Sequence, residues 1–205
     1  MPNAEKWNYD QAFSRNLGLL TASEQEKLRN ARIAIAGMGG VGGVHLITLA
    51  RLGIGKFTVA DPDVFEAANF NRQYGAKIET IGRKKVEVMA AEALAINPQL
   101  EIRSLDTAIT TENVAQFFEG VDLFVDGIDF FSVSNRRIVF QEARRRGLWA
   151  VTAGPHAFGT GWLVFDPAGM SFDEFFDLDD GMSDDEQLIA FCVGCVPSPL
   201  HLAYV

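Results

Sequence analysis

Arg32-Ile33-Ala34-Ile35-Ala36-Gly37-Met38-Gly39-Gly40-Val41-Gly42-Gly43 passes from a short apolar strand straight into a glycine-rich turn. Gly37, Gly39 and Gly42 stand at G-x-G-x-x-G spacing, and residues 44–52 read as the helix that follows. Glycines in such a turn let the backbone fold tightly and bring amides at a helix N-terminus close to a phosphate. Residues 56–61 read as a second strand closed by Asp61, a carboxylate placed to accept hydrogen bonds from ribose hydroxyls. Strand, turn, helix and acidic strand end together point to a bound nucleotide. They do not choose between NAD, FAD and ATP.

Outward from this unit the pattern keeps alternating. Residues 23–30 read as a capped, exposed helix leading into the first strand, and 84–96 as a helix stopped by Asn97-Pro98. A strand at 101–105, a helix near 112–118 and a strand at 123–126 come next, followed by a helix near 135–146 and a strand at 148–152. Strands separated by helices predict an α/β fold, a Rossmann-like, mostly parallel sheet with helices on both faces. After Gly159 the alternation stops. Residues 161–165 read as one more strand, and an acidic stretch containing Phe172, Phe175 and Phe176 follows. The aromatics argue that it packs, and a solvated acidic loop is the alternative. The chain's last residues, Tyr204-Val205, close an apolar run without polar capping and read as an element cut short.

Composition narrows the function classes. The chain of 205 residues is 48% hydrophobic and 22% charged, the balance of a globular domain with a real core. The net charge of −9 is concentrated: nine acidic residues and no Lys or Arg lie between Asp166 and Gln187, and the rest of the chain is balanced. Phosphate backbones require clustered cations, so a nucleic-acid partner is disfavoured. Arg144-Arg145-Arg146 is the only basic run and reads as the end of a helix before Gly147. No apolar run is long enough for a membrane span, and the polar N-terminus lacks the core of a signal peptide. With only Cys192 and Cys195 present, the expectation is a cytoplasmic protein.

The stretch after Asp61 decides the nucleotide. Asn69-Phe70-Asn71-Arg72-Gln73 falls just past the sheet's carboxyl edge, and Gly82-Arg83-Lys84-Lys85 opens the next helix with cations. A dehydrogenase has little use for an Arg and a Lys beside the phosphate turn. An enzyme that attacks the α-phosphorus of ATP does, because charge on the phosphates must be balanced. These residues, with Gly37–Gly43 and Asp61, resemble the ThiF/MoeB/HesA family, relatives of the ubiquitin-activating enzymes. The resemblance covers roughly residues 9–152 and implies an ATP-binding adenylation domain over 1–165, with 166–205 as an acidic and apolar extension.

What the resemblance implies for the site is specific. Gly37, Gly39, Gly40 and Gly42 would cradle the phosphates and Asp61 would hold the ribose. Asn69, Asn71, Arg72 and Gln73 would meet the nucleotide, with Asn69 and Arg72 on the phosphates, and Lys85 would balance the leaving pyrophosphate. Asp122-Leu123-Phe124-Val125-Asp126-Gly127-Ile128-Asp129 resembles the segment ending in the magnesium-holding Asp, here Asp129. Phe13-Ser14-Arg15-Asn16 resembles the segment whose Arg crosses a homodimer interface into the neighbouring ATP site. Such a segment is expected to pack poorly on its own sheet and to gain order against a two-fold partner. The acceptor implied is the C-terminal carboxylate of a small ubiquitin-like or sulfur-carrier protein, or a related peptide or tRNA acceptor.

Three departures qualify this. Phe130 follows Asp129 where the family places Asn, and the first Arg, Arg136, comes seven residues after Asp129 instead of five, so no role is carried over to it. Cys192-Val193-Gly194-Cys195 matches one zinc half-site, but no other cysteine exists, and His45, His156 and His201 lack partner spacing. The family's cysteine nucleophile has no counterpart. A Rossmann oxidoreductase using NAD or FAD, and a catalytically silent nucleotide-binding partner subunit, remain the alternatives.

Overall fold

The computed structural model describes residues 6–156 and 159–195. The final apolar run, with Tyr204 and Val205, lies outside the described residues. Six strands, β1 Arg32–Ala36, β2 Lys56–Ala60, β3 Glu101–Leu105, β4 Leu123–Asp126, β5 Trp149–His156 and β6 Gly159–Phe165, form one sheet in the order β3-β2-β1-β4-β5-β6. The first five run parallel, and β6 returns antiparallel on β5, with Val151 opposite Val164 and Ala153 opposite Trp162. All five residues of β1 are buried, as expected for a strand in the middle of a sheet covered on both faces.

Eight helices connect and cover the strands among the described residues: α1 Tyr9–Ala12, α2 Ala22–Asn30, α3 Gly42–Leu52, α4 Lys85–Ile96, α5 Val114–Phe117, α6 Val133–Arg145, α7 Phe172–Phe176 and α8 Asp184–Cys195. Adjacent residues of β4 assign the two cores. Phe124 joins Phe117, Phe118 and Phe140 on one face, while Val125 joins Ile35, Leu46, Phe57 and Met89 on the other. Capping chemistry sets the helix ends. Thr21 and Glu24 close a reciprocal capping box at the start of α2, and Gly53, at φ +97°, ends α3.

Local differences from the sequence reading have physical causes. α3 begins at Gly42, two residues earlier than helix propensity indicates, because packing rather than propensity places glycine there. The helix expected over 112–118 shrinks to the single turn of α5. Asn113 takes the Thr110 amide on its Oδ1 and donates to Ala108 O, which holds residues 108–113 in a turn. β5 runs on to His156 because β6 pairs along its whole length.

The acidic stretch folds as α7 and α8, so its alternative as a solvated loop is not what forms. Phe172, Phe176 and Phe191 enter the same core as Phe124 and Phe140. Arg137 of α6 pays for the acidity locally, pairing with Asp173 at 3.0 Å and Asp180 at 2.9 Å. The N-terminal segment also differs from expectation. Tyr9 and Phe13 are buried in its own chain, the Tyr9 hydroxyl donates to Gly53 O at 2.5 Å, and Asn16 Nδ2 donates to Leu52 O at 2.9 Å. The segment therefore packs on the C-terminal end of α3 without a partner.

Candidate functional site

The strand order reverses between β1 and β4, so the connections leaving their carboxyl ends diverge and open a crevice there. A cleft of about 910 Å³ occupies that place. Its floor is the turn after β1. Gly37 adopts φ +87°, and a Cβ on it would lie 2.0 Å from Gly127 O, on the loop after β4. A Cβ on Gly42 would lie 1.8 Å from Gly37 O. The two loops thus touch backbone to backbone, which only glycine allows. Gly39, Gly40 and Val41, just ahead of α3, line the cleft, so it opens at the positive end of that helix.

Asp61, at the end of β2, holds this turn from below. Its Oδ2 accepts the Met38 amide at 2.6 Å and its Oδ1 the Asp63 amide at 2.8 Å. Burial pushes the Asp61 carboxyl above its usual range, and these two amides and the Lys85 charge pull it back. Lys85, the first residue of α4, is buried against the cleft wall with its Nζ 2.9 Å from Asp63 Oδ2. Arg72 is exposed over Gly40, and its guanidinium donates to Ala68 O and to Asn71 Oδ1. Gln73 is buried at the cleft, with no partner for its Oε1.

The opposite wall comes from β4, α6 and the C-terminal helices. Asp126 is buried and accepts from Arg136 Nε at 2.8 Å, Thr152 Oγ1 at 2.8 Å and the Ile128 amide at 2.9 Å. Arg136 is buried as well; it donates to Ile128 O and Asp129 O and lies 4.5 Å above the Phe191 ring, while its Nη1 has no partner. Asp129 is exposed at the cleft, one carboxylate oxygen taking the Phe131 amide at 3.0 Å. Cys195 lines the cleft too, its thiol pushed up to about 11 by burial. It stands three residues from Cys192 on α8, and both are free. Among the described residues no group of three or more His, Cys, Asp or Glu is placed to hold a metal.

Of the residues singled out in the sequence, Gly37, Gly39, Gly40, Asp61, Arg72, Gln73, Lys85 and Asp129 line the cleft. Gly42 lies behind it, in contact with Gly37. Asn69 and Asn71 do not line it: Asn69 Oδ1 takes the Glu66 amide and shapes the turn, and Asn71 steadies the Arg72 guanidinium. Arg15 is exposed beside the far end of α3. Residues the sequence reading left without a role are Asp63, Asp126, Arg136 and Thr152. Asp126 carried the same signal as Asp61, an Asp closing an apolar strand. Arg136 did not, because its distance from Asp129 along the chain differs from the family's.

The ThiF family profile matches residues 13–197. The chain belongs to the ThiF family. It is 35% identical over 148 residues to a tRNA threonylcarbamoyladenosine dehydratase of Haemophilus influenzae, covering 72% of this chain and 56% of that one. It is 32% identical over 151 residues to a probable adenylyltransferase/sulfurtransferase MoeZ of Mycobacterium tuberculosis, covering 72% of this chain and 36% of that one. Among solved structures, the E. coli tRNA N6-threonylcarbamoyladenosine dehydratase TcdA in complex with ATP matches with a TM-score of 0.67 at 34% identity, over 71% of this chain and 60% of that one. The chain spans about half the length of the dehydratases it matches. Among the described residues no helix is long and apolar enough to cross a membrane.

Proposed function

We propose that this ThiF-family chain is an ATP- and magnesium-dependent adenylyltransferase acting on a carboxylate. The observation that carries this reading is the convergence of Lys85 and Arg72 on the glycine turn inside one cleft. A dinucleotide oxidoreductase would leave both cations idle. The relatives support the reading, since a solved one holds ATP and another is named an adenylyltransferase.

In this reading Gly37, Gly39 and Gly40 cradle the phosphates with backbone amides, and Asp61 accepts from the ribose. An acceptor carboxylate oxygen attacks the α-phosphorus in line. The bond from that phosphorus to the bridging oxygen breaks, and pyrophosphate leaves with the electron pair, giving an acyl-adenylate. Arg72 and Lys85 balance the charge that builds on the phosphates. The chain contributes positioning and electrostatics, not covalent chemistry. Asp129 fits a magnesium site: it is an exposed carboxylate at the phosphate end, and Mg²⁺ ordinarily takes one or two carboxylates with waters and phosphate oxygens. The ion would neutralise phosphate charge. The owner of the acceptor carboxylate is a small ubiquitin-like or sulfur-carrier protein, a peptide, or a tRNA-bound group. Two free thiols suit a reducing, cytoplasmic setting.

We further propose a homodimer in which Arg15 completes the partner's cleft. The sheet supports this with an uncovered apolar face. Trp149 lies in register with Leu123, on the face that α3 covers only in part, and Val164 and Trp162 share it through Val151 and Ala153. Trp149 is 47% and Trp162 69% exposed, a face that α3 extends with exposed Val44 and Leu52.

Pyrophosphate exchange into ATP, measured with candidate acceptors, tests the adenylation. Arg72→Ala and Lys85→Ala should each lose about 3–4 kcal/mol of transition-state stabilisation, by analogy with an oxyanion-hole donor. The fold should survive, since the carboxylate that Lys85 leaves behind, Asp63, is 62% exposed. Exchange near wild-type rates in either variant would sink the reading.

A further inference from the structure

Past Asp129 the cleft changes chemistry. Phe130, Leu163, Phe175 and Phe191 line it there, and Phe130 and Phe175 keep 37% and 40% of their surface open despite close aromatic neighbours. Between this aromatic wall and the phosphate end sits Arg136, almost wholly buried, with its Nη1 unpartnered beside the Phe191 ring. The Phe191 ring is itself buried, but the half-open Phe130 packs on it at 5.5 Å. An orphaned cationic donor thus stands one ring away from open aromatic surface and calls for a ligand that brings an oxygen and a bulky apolar group together. A tail of bare glycines would supply the oxygen and leave the aromatic wall wet.

The rim outside that wall is acidic. Asp184 Oδ1 accepts from Ser134 Oγ at 2.8 Å, which ties the first turn of α8, with Asp185 and Glu186, to the first turn of α6, whose Asn135 lines the cleft together with Ser132 just before the helix. Phe175 is followed two residues later by Asp177, exposed and in the left-handed region at φ +53°. No Lys or Arg occurs from Asp166 to Gln187. Such a rim repels a phosphate backbone and attracts a cationic chain. The basic run Arg144-Arg145-Arg146 gives no counterweight at the rim, because it lies at the C-terminal end of α6 while the start of that helix lines the cleft.

We infer that the acceptor is a polypeptide, not an RNA, presenting a bulky apolar side chain next to its reacting carboxyl group and basic residues beyond it. The apolar side chain packs on Phe130, Phe175 and Phe191, the carboxyl group lies by Arg136 facing the α-phosphate, and the basic residues meet the rim of α7 and α8. This rests on the adenylyltransferase reading and narrows its substrate class.

The test uses the full chain with a non-hydrolysable ATP analogue at about 0.15 M salt, where surface charge is already partly screened. The probes are fluorescein-labelled short peptides ending in Lys-Arg-Ala-Phe, Glu-Asp-Ala-Phe and Lys-Arg-Gly-Gly, and an unmodified bulk tRNA. Anisotropy should show the first bound at least about tenfold more tightly than the other three. Phe130→Asn should weaken it about tenfold, the loss of an aromatic anchor, and the pair Asp177→Lys with Asp185→Lys should weaken it and reduce the loss of affinity that added salt causes. Unchanged thermal unfolding midpoints confirm that the variants fold. tRNA or the glycine-ended peptide binding as well as the first, or both variants binding it normally, overturns the inference. ATP affinity is titrated on the same sample: absent ATP binding would instead strike the adenylyltransferase reading itself.

Discussion

At Gly40 and Gly42 the same substitution meets opposite surroundings. An alanine Cβ at Gly42 would sit 1.8 Å from Gly37 O and 2.9 Å from its carbonyl carbon, contacts that backbone alone must relieve. At Gly40 the nearest atoms are 3.4 Å away, one of them the flexible Cγ of Arg72. Gly42→Ala should therefore cost about 3 kcal/mol or more in urea unfolding, and Gly40→Ala less than about 1 kcal/mol. Equal losses would mean that the turn does not pack as described. Asp126 and Arg136 pose the second case, with side chains 2% and 4% exposed. Arg136→Met alone leaves a buried carboxylate and should cost about 3–5 kcal/mol, while adding Asp126→Asn should recover part of that loss. The glycine turn, Asp61 and the two cations were legible in the sequence because each is a residue type with one physical use at that spot. Arg136 was not, because it stands seven residues after Asp129 where the resemblance expects an Arg at five, and spacing along the chain did not report its position in space.

At the scale of elements, the strands were the most legible part, since β1, β3 and β4 are short runs bounded by turn residues and match the sequence reading to the residue. The ends of α3 and α5 and the whole of α7 and α8 were not, because tertiary contacts set them: Gly42 packs on Gly37, Asn113 caps a turn, and three phenylalanines carry an acidic stretch into the core. α3 also hides a titration. His45 is half-buried with its Nε2 unpartnered, and burial lowers its pKa from the ordinary 6.5, against a weaker pull from Asp126. A histidine that resists protonation when folded binds fewer protons than its unfolded counterpart below that value. Stability should then fall as pH drops through 6.5 toward the folded pKa, and be unaffected above it. Urea midpoints at pH 7.5 and 5.5 check this, and His45→Gln should flatten the difference. A midpoint that rises on acidification, or the same slope in His45→Gln, would contradict it.

For the whole molecule, the position of Arg15 argues for an assembly. Asn16 is hydrogen-bonded to Leu52 O at the C-terminal end of α3, while the cleft lies at that helix's N-terminal end. Eleven residues of helix separate the two by about 16 Å, so Arg15 stands away from its own cleft. The exposed apolar face runs the same way, from Trp149 and Leu52 at Arg15's end to Val44 and Trp162 at the cleft. In the homodimer proposed above, a two-fold axis lying across the run of that face would set the copies antiparallel, an isologous contact that would bring each Arg15 to the other's cleft. The crossing Arg was an expectation from resemblance, and the packing argument made for it does not hold, since the segment is well packed on its own chain. What it lacks is a use at home. Mixed Arg15→Ala and Asp129→Ala chains should regain about a quarter of wild-type pyrophosphate exchange, because half the dimers are hybrids and each hybrid keeps one of two composite sites intact. Trp149→Lys with Val164→Asp should give monomers by light scattering and abolish that recovery. A wild-type monomer, or mixtures with no recovered activity, would leave Arg15 as a surface residue and the apolar face without its partner.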